Sequence, residues 1–347
     1  MEHIKTEFIK IDPLRPDHEA IARAANALLR GELVAFPTET VYGLGGNATD
    51  PLAAQKIYKA KGRPSDNPLI IHVADPADAA QYAFVPPLYH KLADAFMPGP
   101  LTVIMPKRDI VPDSVTGGLK TVAIRCPSHP IAHELIVSCG VAIAAPSANR
   151  SGSPSPTVAQ HVLEDLDGRI HMIIDGGASE IGLESTIVRV EDNHITLLRP
   201  GAITYDALCC ICDNVTVAAA VTDTIAENER PLSPGMKYRH YAPRAPLILL
   251  DGDDSCVIRH MRHMQNAEHC AILCYEEDLP HLRNERLIVI GKRNDLATQA
   301  SKLFSALRQT NEMDVSTVYA HLPPKNGLGL ALYNRLIRAA AHTIIHV

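Results

Sequence analysis

Tryptophan is absent from the 347 residues, and the other aromatics are scarce, ten Tyr and five Phe. So few flat rings argue against a platform for stacking single-stranded bases. A surplus of basic charge is missing too: 33 Lys and Arg face 39 Asp and Glu, for a net charge of −6. The bulk field that draws a protein onto nucleic acid is therefore absent, and only a local basic patch stays open. No apolar run approaches the ~18 residues of a membrane span. Met1 to Glu7 carry charges where a secretory signal has its apolar stretch. These absences predict a cytoplasmic protein with no membrane partner, whose eight cysteines are reduced thiols. Cys209-x-x-Cys212, the pair Cys270 and Cys274, and His260-x-x-His263 do not build a zinc site. Apolar neighbours such as Leu208, Ile211, Ile272 and Leu273 surround the cysteines where a zinc site has turn residues. Buried, inert thiols and no metal site are expected. The Walker sequence, the G-x-S-x-G elbow and H-E-x-x-H are also missing. Gly43 to Ala48 spells G-x-G-x-x-A, but Pro37-Thr-Glu-Thr40 separates it from the preceding strand and Pro51 delays the helix, so a dinucleotide turn is not expected.

What is present is a globular composition, 46% hydrophobic and 21% charged. At about 150 residues per domain this length suggests two domains. Ile21, Ala24, Ala25, Leu28 and Leu29 keep helical spacing between Asp17 and Arg30, and Gly31 stops the run. Asp50-Pro51 opens a second helix that ends at Gly62. Strand-like runs follow at Leu69–Val73, Leu101–Met105, Thr121–Arg125, Val141–Ala145 and Ile170–Ile174, alternating with helical stretches. Thr186–Val190 and His194–Leu198 form a hairpin around Glu191-Asp-Asn193, so the sheet is expected to be mixed. A break follows about residue 205, periodicity fades from Thr222 to Pro246, and a strand–helix alternation resumes after Ala245. The expected organisation is α/β: a first domain over 1–205 on a large twisted mixed sheet, a linker over 206–245, and a smaller Rossmann-like, doubly wound domain over 246–347. Within the linker, Ser233 to Pro243 packs two Tyr, a His, a Lys and an Arg into eleven residues. That stretch reads either as a solvated spacer or as a strap that touches a ligand.

Two polar constellations stand out in the first domain. Lys56, Lys59, Lys61 and Arg63 place four cations in eight positions, followed by Asn67. Cations near a helix C-terminus answer the helix dipole, which accounts for Lys59 and Lys61 but not for Arg63 and Asn67 beyond the end. Converging cations and amides suit a polyphosphate. The second constellation, Ser147, Asn149, Ser151, Ser153, Ser155 and Thr157, follows an apolar strand and precedes a helix with Thr157 as its expected cap. That is where open α/β sheets take ligands, and it can also be a plain Ser-rich loop. Glu184-Ser-Thr186 and Arg199-Pro-Gly201 say little alone. Composition and pattern thus reach an α/β enzyme that binds a phosphorylated ligand.

Taken in order, Pro37-Thr-Glu-Thr-Val-Tyr-Gly-Leu44, Lys61-Gly-Arg63-Pro, Asn67-Pro-Leu-Ile-Ile-His72, Pro100-Leu-Thr-Val, Val122-Ala-Ile-Arg125-Cys-Pro127, Pro146-Ser-Ala-Asn149, Glu184-Ser-Thr186 and Arg199-Pro-Gly201 resemble the YrdC-like domain of the threonylcarbamoyl-AMP synthase family. The strap and the second α/β unit resemble that family's long form, with its C-terminal accessory domain. The resemblance implies a nucleotidyltransferase that makes L-threonylcarbamoyl-AMP and pyrophosphate from L-threonine, bicarbonate or CO2, and ATP, with Mg2+ accompanying the nucleotide. A downstream tRNA threonylcarbamoyltransferase would use the product at adenosine 37, and a weak contact with tRNA is allowed for. Matched position by position, the resemblance gives ATP contacts to Lys61, Arg63, Asn67, Thr121, Ser147, Asn149, Ser155 and Arg199, with Lys61 and Arg63 as catalytic cations. It gives threonine contacts to Thr40, His72, Arg125, the Ala145 backbone and Ser185. Taken alone, His72 reads better as a core histidine. In the strap, Met236, His240 and Tyr241 are the candidates for closing over the nucleotide. Two other classes are weighed: an RNA-binding module, and a carbamoyl transferase using carbamoyl phosphate.

Overall fold

The computed structural model describes residues 4–222, 241–267, 269–283 and 285–347. These form two compact units. The first takes the described residues within Met1–Ser151, Ser155–Glu180 and Glu184–Lys237. The second takes those within Gly152–Pro154, Ile181–Leu183 and Tyr238–Val347.

In the first unit the helix His18–Leu29 forms where the spacing predicts, and the Asp17 side chain accepts from Glu19 and Ala20 N–H. Such a cap contributes about 1 kcal/mol. Ile21 and Leu28 are fully buried on its inner face, each stabilising by roughly 1.5–3 kcal/mol. The helix Pro51–Lys61 starts on an Asp50 cap with Pro at its first turn and ends on Gly62, left-handed at φ 63°. Glycine adopts that conformation without a Cβ penalty. The helix Ala159–Leu166 begins one residue later than the expected Thr157 cap. Val158 holds the cap position in an extended conformation and makes no side-chain cap bond, because it has no polar atom to offer.

Eleven strands make one sheet: β1 (Glu7–Lys10), β2 (Val34–Phe36), β3 (Gly43–Asn47), β4 (Ile70–His72), β5 (Leu101–Pro106), β6 (Thr121–Arg125), β7 (Ile143–Ala145), β8 (Met172–Asp175), β9 (Thr186–Glu191), β10 (His194–Arg199) and β11 (Val215–Val217). Their order is β1-β8-β2-β3-β7-β4-β6-β5-β9-β10-β11. The sheet is mixed, with β9 and β10 as the expected antiparallel hairpin and β4 parallel to β6. β11 and the helix Tyr205–Cys209 fall in the span read as linker, and β11 pairs in parallel with β10. Alternate residues pack on opposite faces, as the pleat requires. Ala35, Leu44, Ile71, Val103, Ile124, Ala144 and Val188 share one core with helix residues Ala54, Ile57, Leu92 and Val162. On the other face, Val34, Phe36, Ile143, Ala145, Met172 and Ile174 pack under the helices His18–Leu29 and Pro130–Cys139. That same face continues across β4, β6, β5 and β9 as a small apolar patch, Ile70, Ala123, Ile104 and Ile187.

The second unit has five parallel strands, β12 (Leu247–Asp251), β13 (Cys270–Cys274), β14 (Leu287–Val289), β15 (Thr317–His321) and β16 (Ile344–His346), in the order β14-β13-β15-β12-β16. The expectation of buried thiols holds for Cys270 and Cys274 but not for Cys209 and Cys212, which are half-buried, nor for Cys210, which is exposed just past the short helix Tyr205–Cys209. Among the described residues no helix is long and apolar enough to cross a membrane.

Candidate active site

Strand register assembles residues that lie far apart in the sequence. His72 at the end of β4 pairs with Arg125 at the end of β6, and Arg125 pairs with Thr102 on β5. Paired residues point to the same face, so these three side chains form a polar row beside the Ile70–Ala123–Ile104 patch. All three are buried. The row continues through Ser185, whose hydroxyl lies 2.7 Å from the Thr102 hydroxyl. Arg199, at the end of β10, donates through Nε to the Ser185 carbonyl at 3.1 Å and through Nη2 to the Ser185 hydroxyl at 3.2 Å. Gly201 is needed just beyond, since a Cβ there would come within 2.6 Å of the Thr186 nitrogen.

The turn from β2 to β3 folds back toward this row. The Thr38 hydroxyl donates to the Val41 carbonyl at 2.6 Å and meets the Thr40 hydroxyl at 2.9 Å, which fixes the turn. Between them, Glu39 brings Oε1 within 2.7 Å of Arg125 Nη2. The distance makes an ion pair, but the N–H is not aligned on the oxygen, and Arg125 Nε and Nη2 are buried without a hydrogen-bond partner. Those two nitrogens form the guanidinium edge that binds a carboxylate bidentately.

The phosphate candidates cluster at the opposite end of β4. Lys61 is 3% exposed, and its Nζ donates to the carbonyls of Ser147 at 2.6 Å and Asn149 at 2.5 Å. The Ser151 N–H donates back to the Lys61 carbonyl, and the Ser147 hydroxyl donates to Asn149 Oδ1. The loop after β7 is thereby fastened to the C-terminus of the helix Pro51–Lys61. Arg63 donates through Nη2 to the Pro68 carbonyl at 3.2 Å. Asn67 is 1% exposed and its Oδ1 has no hydrogen-bond partner. Because amide O and N are alike in shape, this position can present either a donor or an acceptor. Thr121 opens β6 at the same end, two residues before Ala123, which pairs with Ile70. Ala145 closes β7 and also pairs with Ile70. Ser155 donates to Glu184 Oε1 at 2.5 Å. Since Glu184 precedes Ser185, this bond joins the loop after β7 to the row at Arg125.

Burial sets the protonation states. The His72 pKa is pushed down to about 3, first by desolvation and then by the Arg125 charge. Its ring is neutral, with Nδ1 3.2 Å from the Ile70 carbonyl and its plane perpendicular to the Phe36 ring. His129, whose Nδ1 caps the Pro130–Cys139 helix at the Ile131 N–H, is lowered by desolvation against the raising pull of Glu39.

A family model described as telomere recombination matches residues 26–201, and one described as the C-terminal domain of threonylcarbamoyl-AMP synthase matches residues 203–341. The threonylcarbamoyl-AMP synthase of Bacillus subtilis (strain 168) is 46% identical over 98% of this chain and 99% of its own length. The chain belongs to the threonylcarbamoyl-AMP synthase family. The synthase of Pyrococcus abyssi (strain GE5 / Orsay) is 42% identical over 93% of this chain and 95% of its own. The crystal structure of P. abyssi Sua5 complexed with L-threonine matches with a TM-score of 0.92 and 40% identity, covering 99% of this chain and 100% of that one.

In this synthase-family chain, register and hydrogen bonds join His72, Arg125, Ser185 and Arg199 on one side and Lys61, Arg63, Asn67, Ser147 and Asn149 on the other. Met236 and His240 lie outside the described residues. Tyr241 is buried in the second unit, its ring stacked on Phe304 with centroids 5.1 Å apart. Sequence reasoning missed Glu39, Thr102 and Glu184 as site residues. All three stood inside the motifs that carry the resemblance, but the partners that give them meaning come from elsewhere in the chain. The signal for Glu39 was a carboxylate in a strand-to-strand turn whose neighbours are otherwise uncharged.

Proposed function

We propose that this chain condenses L-threonine, bicarbonate or CO2, and ATP into L-threonylcarbamoyl-AMP and pyrophosphate, for a downstream transferase that modifies tRNA adenosine 37. The observation that carries the reading is the buried Arg125 edge, Nε and Nη2, without hydrogen-bond partners. A guanidinium is desolvated in this way at a place built for a carboxylate. In this reading Arg125 takes the threonine carboxylate, while Thr40, Ser185, the Ala145 backbone and neutral His72 surround the rest of the amino acid. Lys61, Arg63, Asn67, Thr121, Ser147, Asn149, Ser155 and Arg199 hold ATP, and Met236, His240 and Tyr241 of the strap are the further candidates for contact with it. Mg2+ enters on the nucleotide phosphates.

The ammonium gives up a proton, the free amine adds to CO2 (formed from bicarbonate with loss of water) and releases a second proton to leave an anionic carbamate, and a carbamate oxygen then attacks the α-phosphorus with pyrophosphate leaving. Both reactants are anions, so the work of the site is to offset their repulsion and hold them in line. Lys61 and Arg63 supply the positive charge, and the carbonyl bonds on Lys61 Nζ fix its direction beforehand. A carbamate is already an anion, so the second step needs no strong base. The same reading makes the protein cytoplasmic.

The test is incubation with ATP, Mg2+ and labelled bicarbonate, with and without L-threonine. Pyrophosphate and a labelled adenylate should form only when threonine and bicarbonate are both present. Folded, ATP-binding protein that makes no threonine-dependent product would overturn the proposal.

A further inference from the structure

Glu39 occupies the turn Pro37-Thr-Glu-Thr40 and is only 6% exposed. Both of its carboxylate oxygens are buried without a hydrogen-bond partner, as are Nε and Nη2 of Arg125, although Oε1 and Nη2 lie 2.7 Å apart. An ion pair kept for stability alone would align its N–H groups on the oxygens, because those bonds are what offset the loss of water. Here four polar atoms converge on one place with capacity to spare. Two of them are the carboxylate-binding edge of a guanidinium. The other two are an anionic acceptor directly beside it. Neutral His72, opposite Arg125 in the register, brings no negative charge to the spot. The nearby carboxylate of Glu184 already accepts from the Ser155 hydroxyl.

An α-amino acid carries its ammonium one carbon away from its carboxylate. A carboxylate docked on the Arg125 edge therefore sets an ammonium within reach of Glu39. We propose that Glu39 is the ammonium site, so that Glu39 and Arg125 together select a zwitterion. The inference rests on the reading of L-threonine as a substrate and deepens it. The nitrogen held by Glu39 is the atom that, once it has given up a proton, must meet CO2, so this carboxylate also decides where that nitrogen points. The segment Thr38–Val41 is braced by its own hydroxyl bonds, which gives the carboxylate a fixed place from which to do so.

Calorimetric titration of the full-length protein tests this with three ligands: L-threonine, 3-hydroxybutanoate, which lacks only the ammonium, and ATP. Glu39→Gln should weaken L-threonine by roughly 10- to 100-fold, the range for losing a charged hydrogen-bond partner. It should leave ATP within about twofold, and it should bind 3-hydroxybutanoate as well as the native protein or better, since a repelling charge is gone. Glu39→Asp keeps the charge and should restore part of the threonine affinity. Unchanged threonine binding in Glu39→Gln would overturn the inference while the substrate reading stands. Equal loss of all three ligands would also overturn it, by making Glu39 a support for the turn. Native protein that binds ATP but no L-threonine would overturn the substrate reading and this inference with it.

Discussion

Lys61 bonds two backbone carbonyls while only 3% exposed, so its removal has two separable consequences. Lys61→Met keeps the length of the side chain but leaves both carbonyls without this donor, costing about 1–3 kcal/mol of stability. The loss of a preorganised cation at the phosphates is larger, roughly 10²-fold or more in kcat. Pyrophosphate release and thermal unfolding, measured on one preparation, should show the rate falling far more than the melting temperature. A second residue-scale prediction concerns His72. Its folded pKa is lowered to about 3 by burial and then by Arg125, against about 6.5 in an unfolded chain. Above pH 6.5 neither state is protonated and His72 carries no penalty. As pH falls below 6.5 the unfolded chain gains a proton that the folded chain refuses, so stability drops by up to about 1.4 kcal/mol per unit. At pH 5 the deficit is about 2 kcal/mol. Urea midpoints for native protein and His72→Gln should diverge between pH 7 and pH 5, with the variant the less acid-sensitive. Parallel curves would mean that His72 does take up the proton.

At the scale of elements, β3 shows what glycine is for in this sheet. A Cβ on Gly45 would stand 2.9 Å from both Ile143 Cγ2 and Phe36 Cε1. Both neighbours are fully buried, so neither can swing aside freely. Gly45→Ala should cost about 1–3 kcal/mol by overpacking, read as a fall in urea midpoint with an unchanged slope. An unchanged midpoint would show that the sheet gives way locally. The same glycines hid β3 from sequence reasoning, because Gly-Leu-Gly-Gly-Asn has low strand propensity and matches a dinucleotide motif in letters. β1, β11 and β16 escaped for a different reason: they are short strands at the ends of their sheets, with too few residues to show a period. The helices His18–Leu29 and Pro51–Lys61 were legible because spacing, cap and stop signal agreed in each. Strands β5, β6 and β9 were legible as apolar runs between turn residues. The row His72–Arg125–Thr102 was not, because register joins strands that the chain visits far apart. Only the family resemblance placed His72 at the site, where the residue alone read as core.

At the scale of the whole molecule, alternation of strands and helices was enough to predict α/β architecture, and one hairpin was enough to predict a mixed sheet. Charge was legible at this scale too, and the structure sharpens its meaning. The net charge is −6; Lys56 and Lys59 of the four-cation run are exposed and Arg63 is half-buried, but Lys61, Arg125 and Arg199 are 3%, 4% and 6% exposed. Their charge is turned inward and is not offered to a polyanion at the surface. Affinity for nucleic acid grows with the number of phosphates that surface cations neutralise, and stacking offers little compensation with aromatics at 4% of the chain. The protein should therefore make its adenylate without holding tRNA. Filter binding at 150 mM salt should detect no complex with tRNA at about 10 µM protein, within the range of non-specific affinities. Addition of tRNA should leave the rate of pyrophosphate release unchanged. A sub-micromolar complex that weakens steeply with salt would instead require a basic surface outside the buried site, and would make tRNA a ligand of this chain in its own right.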